Sequence, residues 1–97
     1  MNEIQFDDIV KILAQEDNEK VIRQFLEAIL TPNEIETITS RWKLVCMLKS
    51  GMTQREIAKE LGVSLCKITR GSRELKFGPK SFRTLVKKYM EETQKKG

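Results

Sequence analysis

Histidine is missing from this 97-residue chain, and tryptophan and tyrosine occur once each. Without imidazole, and with no cysteine beside a base, the usual acid–base and nucleophile pairs of catalysis are missing, so an enzyme is not expected. Cysteine is scarce too, with only Cys46 and Cys66. A structural zinc wants four soft or imidazole ligands, so no metal and no cofactor is expected. Free cysteine prefers packed positions, so the pair is read as reduced, packed thiols, with a disulfide or redox role as the alternative. No apolar run is long enough to span a bilayer. The start Met1-Asn2-Glu3 has neither the basic residues nor the apolar stretch of a signal peptide. No membrane partner is expected, and the expected location is the cytoplasm. Repeats, low-complexity stretches and strand signals are also absent.

What is present suits a soluble, helix-rich globule: 39% hydrophobic and 33% charged residues, net charge +4. This length makes one domain spanning 1–97, or half of an interlocked dimer. A lone chain of this size buries a modest core, and a second copy would enlarge it. The charge is unevenly spread. Residues 1–40 carry nine acids and three bases, a net −6, whereas residues 41–97 carry fifteen bases and five acids, a net +10. Such asymmetry points the second half at a polyanion, although a merely solvated charged surface remains open.

Hydrophobic spacing predicts six helices. Ile4, Ile9, Val10, Ile12 and Leu13 suggest a short first helix, broken at Asp17-Asn18. Val21, Ile22, Phe25, Leu26, Ile29 and Leu30 trace one face of a second. Thr31-Pro32-Asn33-Glu34 is a capping box with proline in the first turn, where no amide donor is missed. The third helix it opens carries a stripe of Ile35, Ile38, Trp42, Val45 and Leu48 and ends at Ser50-Gly51. Trp42 lies on that stripe and reads as core. Thr53-Gln54-Arg55-Glu56 is a second capping box, opening a helix to about Leu61. Gly62 supplies the positive φ of a sharp turn. Ser64 caps a fifth helix to Lys76, and Phe77-Gly78-Pro79 breaks the chain. The sixth helix has Phe82, Leu85, Val86, Tyr89 and Met90 on its inner face, and the tail Lys95-Lys96-Gly97 is expected to fray.

The fourth and fifth helices, about 53–76, have the pattern of a helix-turn-helix. Small Ala58 stands four before Gly62, where two helices cross closely. Ile57 and Leu61 face inward from the first helix, Val63 plugs the turn, and Leu65, Ile68 and Leu75 anchor the second. That second helix turns Cys66, Lys67, Thr69, Arg70, Arg73 and Lys76 outward, with Glu74 the one acid among them. Such a mixture can reach phosphates and base edges. Arg55 lies on the first turn of the preceding helix, whose amide dipoles favour phosphate. Helix pairs of this kind also serve as plain packing units.

Thr31-Pro32, Arg41, Thr53-Gln54-Arg55-Glu56, Ile68-Thr69-Arg70-Gly71-Ser72 and Leu75-Lys76 together resemble the bacterial tryptophan repressor family. The resemblance covers roughly residues 28 to 77, and its Ile-Thr-Arg-Gly-Ser run is the most specific part. It implies an all-α, six-helix intertwined homodimer, in which helices one to three and six of both chains form the core and the helix-turn-helices are flexible reading heads. It implies a repressor of tryptophan biosynthesis or transport genes that binds a double-stranded DNA operator, with L-tryptophan as corepressor. The family's two ligand-clasping arginines match Arg41 and Arg70, which would stack on the indole faces, with Arg70 also pairing the carboxylate. Thr31 matches a carboxylate contact, carbonyls near Ala28 and Leu30 match those receiving the ammonium, and Gly71 leaves room for the indole. Arg55 matches the residue that reaches a guanine edge. Gln54, Lys67, Thr69, Arg70, Arg73 and Lys76 complete the implied DNA-binding set.

Glu74 departs from the small polar residue common in the family. Its carboxylate could hold the ligand ammonium, or pair with Arg70 one helical turn earlier and occupy the site. By the residues alone, Arg41 reads first as a surface arginine covering Ile38 with its stem, whereas Arg70 reads equally as a plain phosphate contact. Only their joint occurrence with Thr31 and Gly71 points to a ligand site. The open alternatives are a DNA-binding regulator of the same fold that answers another ligand or none, and a helical protein-interaction module.

Overall fold

A computed structural model describes residues 3–96, with side chains to residue 93. The order is α1 (Phe6–Ala14), α2 (Glu19–Ile29), α3 (Pro32–Lys49), α4 (Gln54–Leu61), α5 (Leu65–Phe77) and α6 (Lys80–Lys96). Among the described residues there is no strand, and no helix is long and apolar enough to cross a membrane. The tail was expected to fray at Lys95-Lys96-Gly97, but α6 stays helical through Lys96; Gly97 lies outside the described residues. The chain divides into two compact units, Met1–Glu36 and Thr37–Gly97.

In the first unit, side chains chosen for local bonding set the helix starts. The Asn18 side-chain Oδ1 accepts from the Lys20 and Val21 amides and so begins α2. The Thr31 hydroxyl accepts from the Glu34 amide at 3.1 Å, and the Glu34 carboxylate accepts from the Thr31 amide at 2.8 Å. This is the expected capping box at the start of α3. The apolar faces of α1 and α2 are present, but none of their residues is buried. Two short amphipathic helices have too little surface to enclose a core of their own.

The second unit has such a core, with contributions from four helices: Leu44 and Val45 of α3, Ile57 of α4, Ile68 of α5 and Val86 of α6. Ile57, Ile68 and Val86 are completely inaccessible. Full burial of side chains this size contributes about 1.5–3 kcal/mol each. Trp42 packs against this cluster, with its ring edge-on to Phe82 and Tyr89 at centroid distances of 6.4 and 5.5 Å. The second capping box also forms, with Thr53 and Glu56 exchanging bonds of 2.9 and 3.2 Å. Gly62 takes the left-handed conformation (φ 65°, ψ 31°) and returns its amide to the Ala58 carbonyl, closing α4.

Local expectations at Leu65, Leu85, Tyr89, Ser64 and Cys66 need correction. Leu65 is exposed, because it opens α5 ahead of the crossing and Ile68, one turn on, fills the inner position. Leu85 and Tyr89 are likewise exposed. The apolar stripe of α6 is wider than the surface this chain lays against it. Ser64 stands at the N-cap of α5 but makes no side-chain cap bond. Cys46 is half-buried, and burial pushes its thiol pKa up, whereas Cys66 is exposed on the outer face of α5 and not packed.

Candidate nucleic-acid interface

The inner side of α5 is set by Ile68, Gly71, Ser72 and Leu75, spaced at i, i+3, i+4 and i+7, all of them buried or half-buried. Their burial turns the remaining positions outward by geometry. Cys66, Lys67, Thr69, Arg70, Arg73 and Lys76 are all exposed. Among the described residues the ion pair formed is Arg23–Glu27 of α2, at 3.6 Å, so the cations of α5 are not neutralised by carboxylates. Thr69 donates its hydroxyl proton to the Leu65 carbonyl at 2.9 Å. What remains to it is acceptor capacity, which suits a base amino group or a water and not a phosphate oxygen.

The preceding helix, α4, packs closely on α5. Its buried Ile57 holds it there, leaving Gln54 and Arg55 exposed on its first turn. The Glu56 carboxyl is held below its ordinary value, first by the Thr53 amide and then by the Thr53 hydroxyl. A mutually bonded cap thus fixes the turn that carries Arg55. All the residues expected to touch DNA lie on these two helices and reach solvent.

The expected ligand residues are less concentrated. Arg70 and Glu74 line an open hollow of about 580 Å³ on α5, together with Cys66, Thr69, Arg73, Phe77 and Gly78. No ion pair joins Arg70 to Glu74. Arg41 is exposed on α3 and does not line this hollow. Gly71 faces away from it and meets the side chain of Leu44, so the space above its Cα is filled by α3. Ala28, Leu30 and Thr31 belong to the first unit, where Thr31 caps α3.

Three residues matter here that the sequence reading passed over. Leu44 is buried against Gly71, and its spacing of four before Leu48 was the available signal. Phe77, which opens the expected breaker Phe77-Gly78-Pro79, is 82% exposed at the end of the hollow. Arg83 of α6 donates to the Gly78 carbonyl at 2.9 Å, tying down the turn after α5. No sequence pattern marks that bond, since any backbone carbonyl could receive it.

The family model for the Trp repressor protein matches residues 4–90. A Trp operon repressor homolog of Xylella fastidiosa (strain M23) is 39% identical over 71 residues, covering 72% of this chain and 77% of that one. The Trp operon repressor homolog of Vibrio vulnificus (strain YJ016) is 34% identical over 90 residues, covering 92% and 88%. Among solved structures, a TrpR like protein from Eubacterium eligens superposes with a TM-score of 0.74, covering 86% of both chains. At 23% identity that likeness speaks to the fold, which is all-helical in this chain as well. The chain belongs to the Trp repressor family.

Proposed function

We propose that this chain is a sequence-specific DNA-binding repressor, working as a homodimer, whose α4–α5 pair enters the major groove of an operator. The observation that carries the reading is the exposed, unpaired cationic face of α5, held outward by buried Ile68. Lys67, Arg73 and Lys76 supply phosphate contacts, Thr69 an acceptor for a base or bridging water, and Arg55 a fork for a guanine edge. Gln54 adds a polar contact beside Arg55. Relatives named Trp operon repressor homologs favour genes of tryptophan biosynthesis or transport as targets.

L-tryptophan is the proposed corepressor. Arg41 and Arg70 would offer guanidinium planes to the two indole faces, with Arg70 also meeting the carboxylate. Glu74 would receive the ammonium. In helix-turn-helix dimers generally, the Trp repressor among them, the reading helices meet successive grooves roughly 34 Å apart. A ligand that favours this spacing tightens DNA binding only by its differential affinity for the two states. The operator must then tighten tryptophan binding by the same factor.

Fluorescence anisotropy with a duplex enriched from a randomised pool tests this reading. Affinity should fall steeply with added salt and rise with L-tryptophan. Equal binding of all duplexes would remove sequence-specific recognition. Absence of heat on titration with millimolar L-tryptophan, with and without DNA, would remove the corepressor. A second reading, in which a related amino-acid-like ligand replaces tryptophan, is favoured by the unpaired carboxylate of Glu74 in the α5 hollow.

A further inference from the structure

Gly71 lies on the inner face of α5, where the helix passes α3. A methyl group built on its Cα would stand 2.5 Å from Cδ2 of Leu44, closer than real Cβ atoms approach another carbon. The same methyl would lie 3.6 Å from Leu48 Cδ1 and 3.7 Å from Val45 Cγ2, which is ordinary contact. The conflict is therefore with one side chain. Leu44 is 4% exposed and packed among Val45, Ile57, Ile68 and Val86, so it has little room to swing aside. Close-packed interiors transmit such a conflict as movement of the element carrying it. Here that element is α5, which carries Lys67, Thr69, Arg70 and Arg73.

We infer that Gly71 is a positioning residue for DNA recognition: its missing side chain lets α5 seat directly on Leu44 of α3, and this contact sets where the outer face of α5 points. The inference rests on the proposed reading of α5 as the recognition helix, and it assigns Gly71 a role distinct from making room for a ligand. Base readout depends on side-chain placement within fractions of an ångström, whereas phosphate attraction tolerates small displacements. Moving α5 off its seat therefore costs sequence discrimination before it costs charge-driven binding.

The test compares wild type, Gly71→Ala, Leu44→Val and the double variant, without tryptophan and with it. Each is measured against the selected duplex and a scrambled duplex of equal length, with helicity and thermal unfolding followed by circular dichroism. Gly71→Ala should lower the selected-to-scrambled affinity ratio roughly tenfold, the order of discrimination one base contact carries. The salt slope should stay unchanged. Leu44→Val removes both δ carbons, so the double variant should recover most of the lost ratio. A wild-type ratio of one would sink the DNA reading itself. With wild type discriminating, an unchanged ratio in Gly71→Ala overturns the present inference. So does a loss confined to the tryptophan response that Leu44→Val fails to restore. Should Gly71→Ala fail to fold, Leu44→Val alone decides: emptying the seat should lower the ratio, and an unchanged ratio overturns the inference.

Discussion

Arg83 and Arg55 stand 28 positions apart and have opposite uses for the same guanidinium. Arg83 is half-buried and donates to the Gly78 carbonyl, so its charge is spent on holding the turn between α5 and α6. Replacing it with methionine keeps the stem and removes the donor. Stability should fall by about 1–2 kcal/mol, read as a lower urea midpoint, because the carbonyl loses a charge-assisted partner. Arg55 is exposed on the capped first turn of α4, and among the described residues no carboxylate pairs with its fork. Arg55→Ala should leave the urea midpoint nearly unchanged. It should reduce discrimination between selected and scrambled duplexes by about 1–3 kcal/mol, checked by anisotropy on both. Arg55 was legible in the sequence because capping boxes locate first turns. Arg83 was not, because its partner is a backbone carbonyl in the adjoining turn, and no residue type marks that carbonyl.

At the scale of elements, local chemistry specified most of the boundaries. Thr31, Thr53, Gly62 and Asn18 each act within four residues, so their roles follow from spacing alone. Thr53→Ala should cost about 1 kcal/mol through loss of the α4 cap, measured by thermal unfolding. The boxes also predict a pH dependence. The carboxyls of Glu34 and Glu56 sit below the ordinary 4.5 because the Thr31 and Thr53 amides, then the hydroxyls, bond their charged forms. A depressed folded pKa contributes stability above the unfolded value of 4.5, and that contribution is lost as pH falls through the lower folded values. The melting temperature should therefore drop between neutral pH and about pH 3. In Glu34→Gln/Glu56→Gln that drop should be shallower, and equal acid sensitivity in both proteins would contradict the cap assignment. The helix stripes were legible as patterns, but not their depth. Leu65 and Leu85 fit the period yet stay exposed, while Leu44, outside the assigned stripe, is buried.

For the whole molecule, the core joining α3 to α6 determines whether the basic face exists as a surface. Ile68→Ala removes a fully inaccessible side chain that anchors α5 from within. It should cost about 2–5 kcal/mol and weaken DNA binding, although Ile68 touches no solvent; urea unfolding and anisotropy measure the two effects. The apolar residues exposed on α1 and α2, and Leu85 on α6, fit a chain that buries more surface as a dimer. A dimer that unfolds to monomers has a melting temperature that rises with protein concentration. A concentration-independent value, together with a monomer mass in solution, would contradict that assembly.

Periodicity, caps and charge distribution let the sequence alone determine that this chain is helical throughout, where five of its six helices begin, and that α5 carries the cations. These properties depend on neighbours within one or two turns, and short-range spacing encodes them. Tertiary structure alone decided that Leu44 fills the space at Gly71, that Arg83 holds the α5–α6 turn, and that Leu65 stays in solvent. The first and last depend on how different helices meet or fail to meet, and the second on how the chain turns between α5 and α6. The angles at which those helices cross depend on the packing of the whole core, which no local spacing encodes.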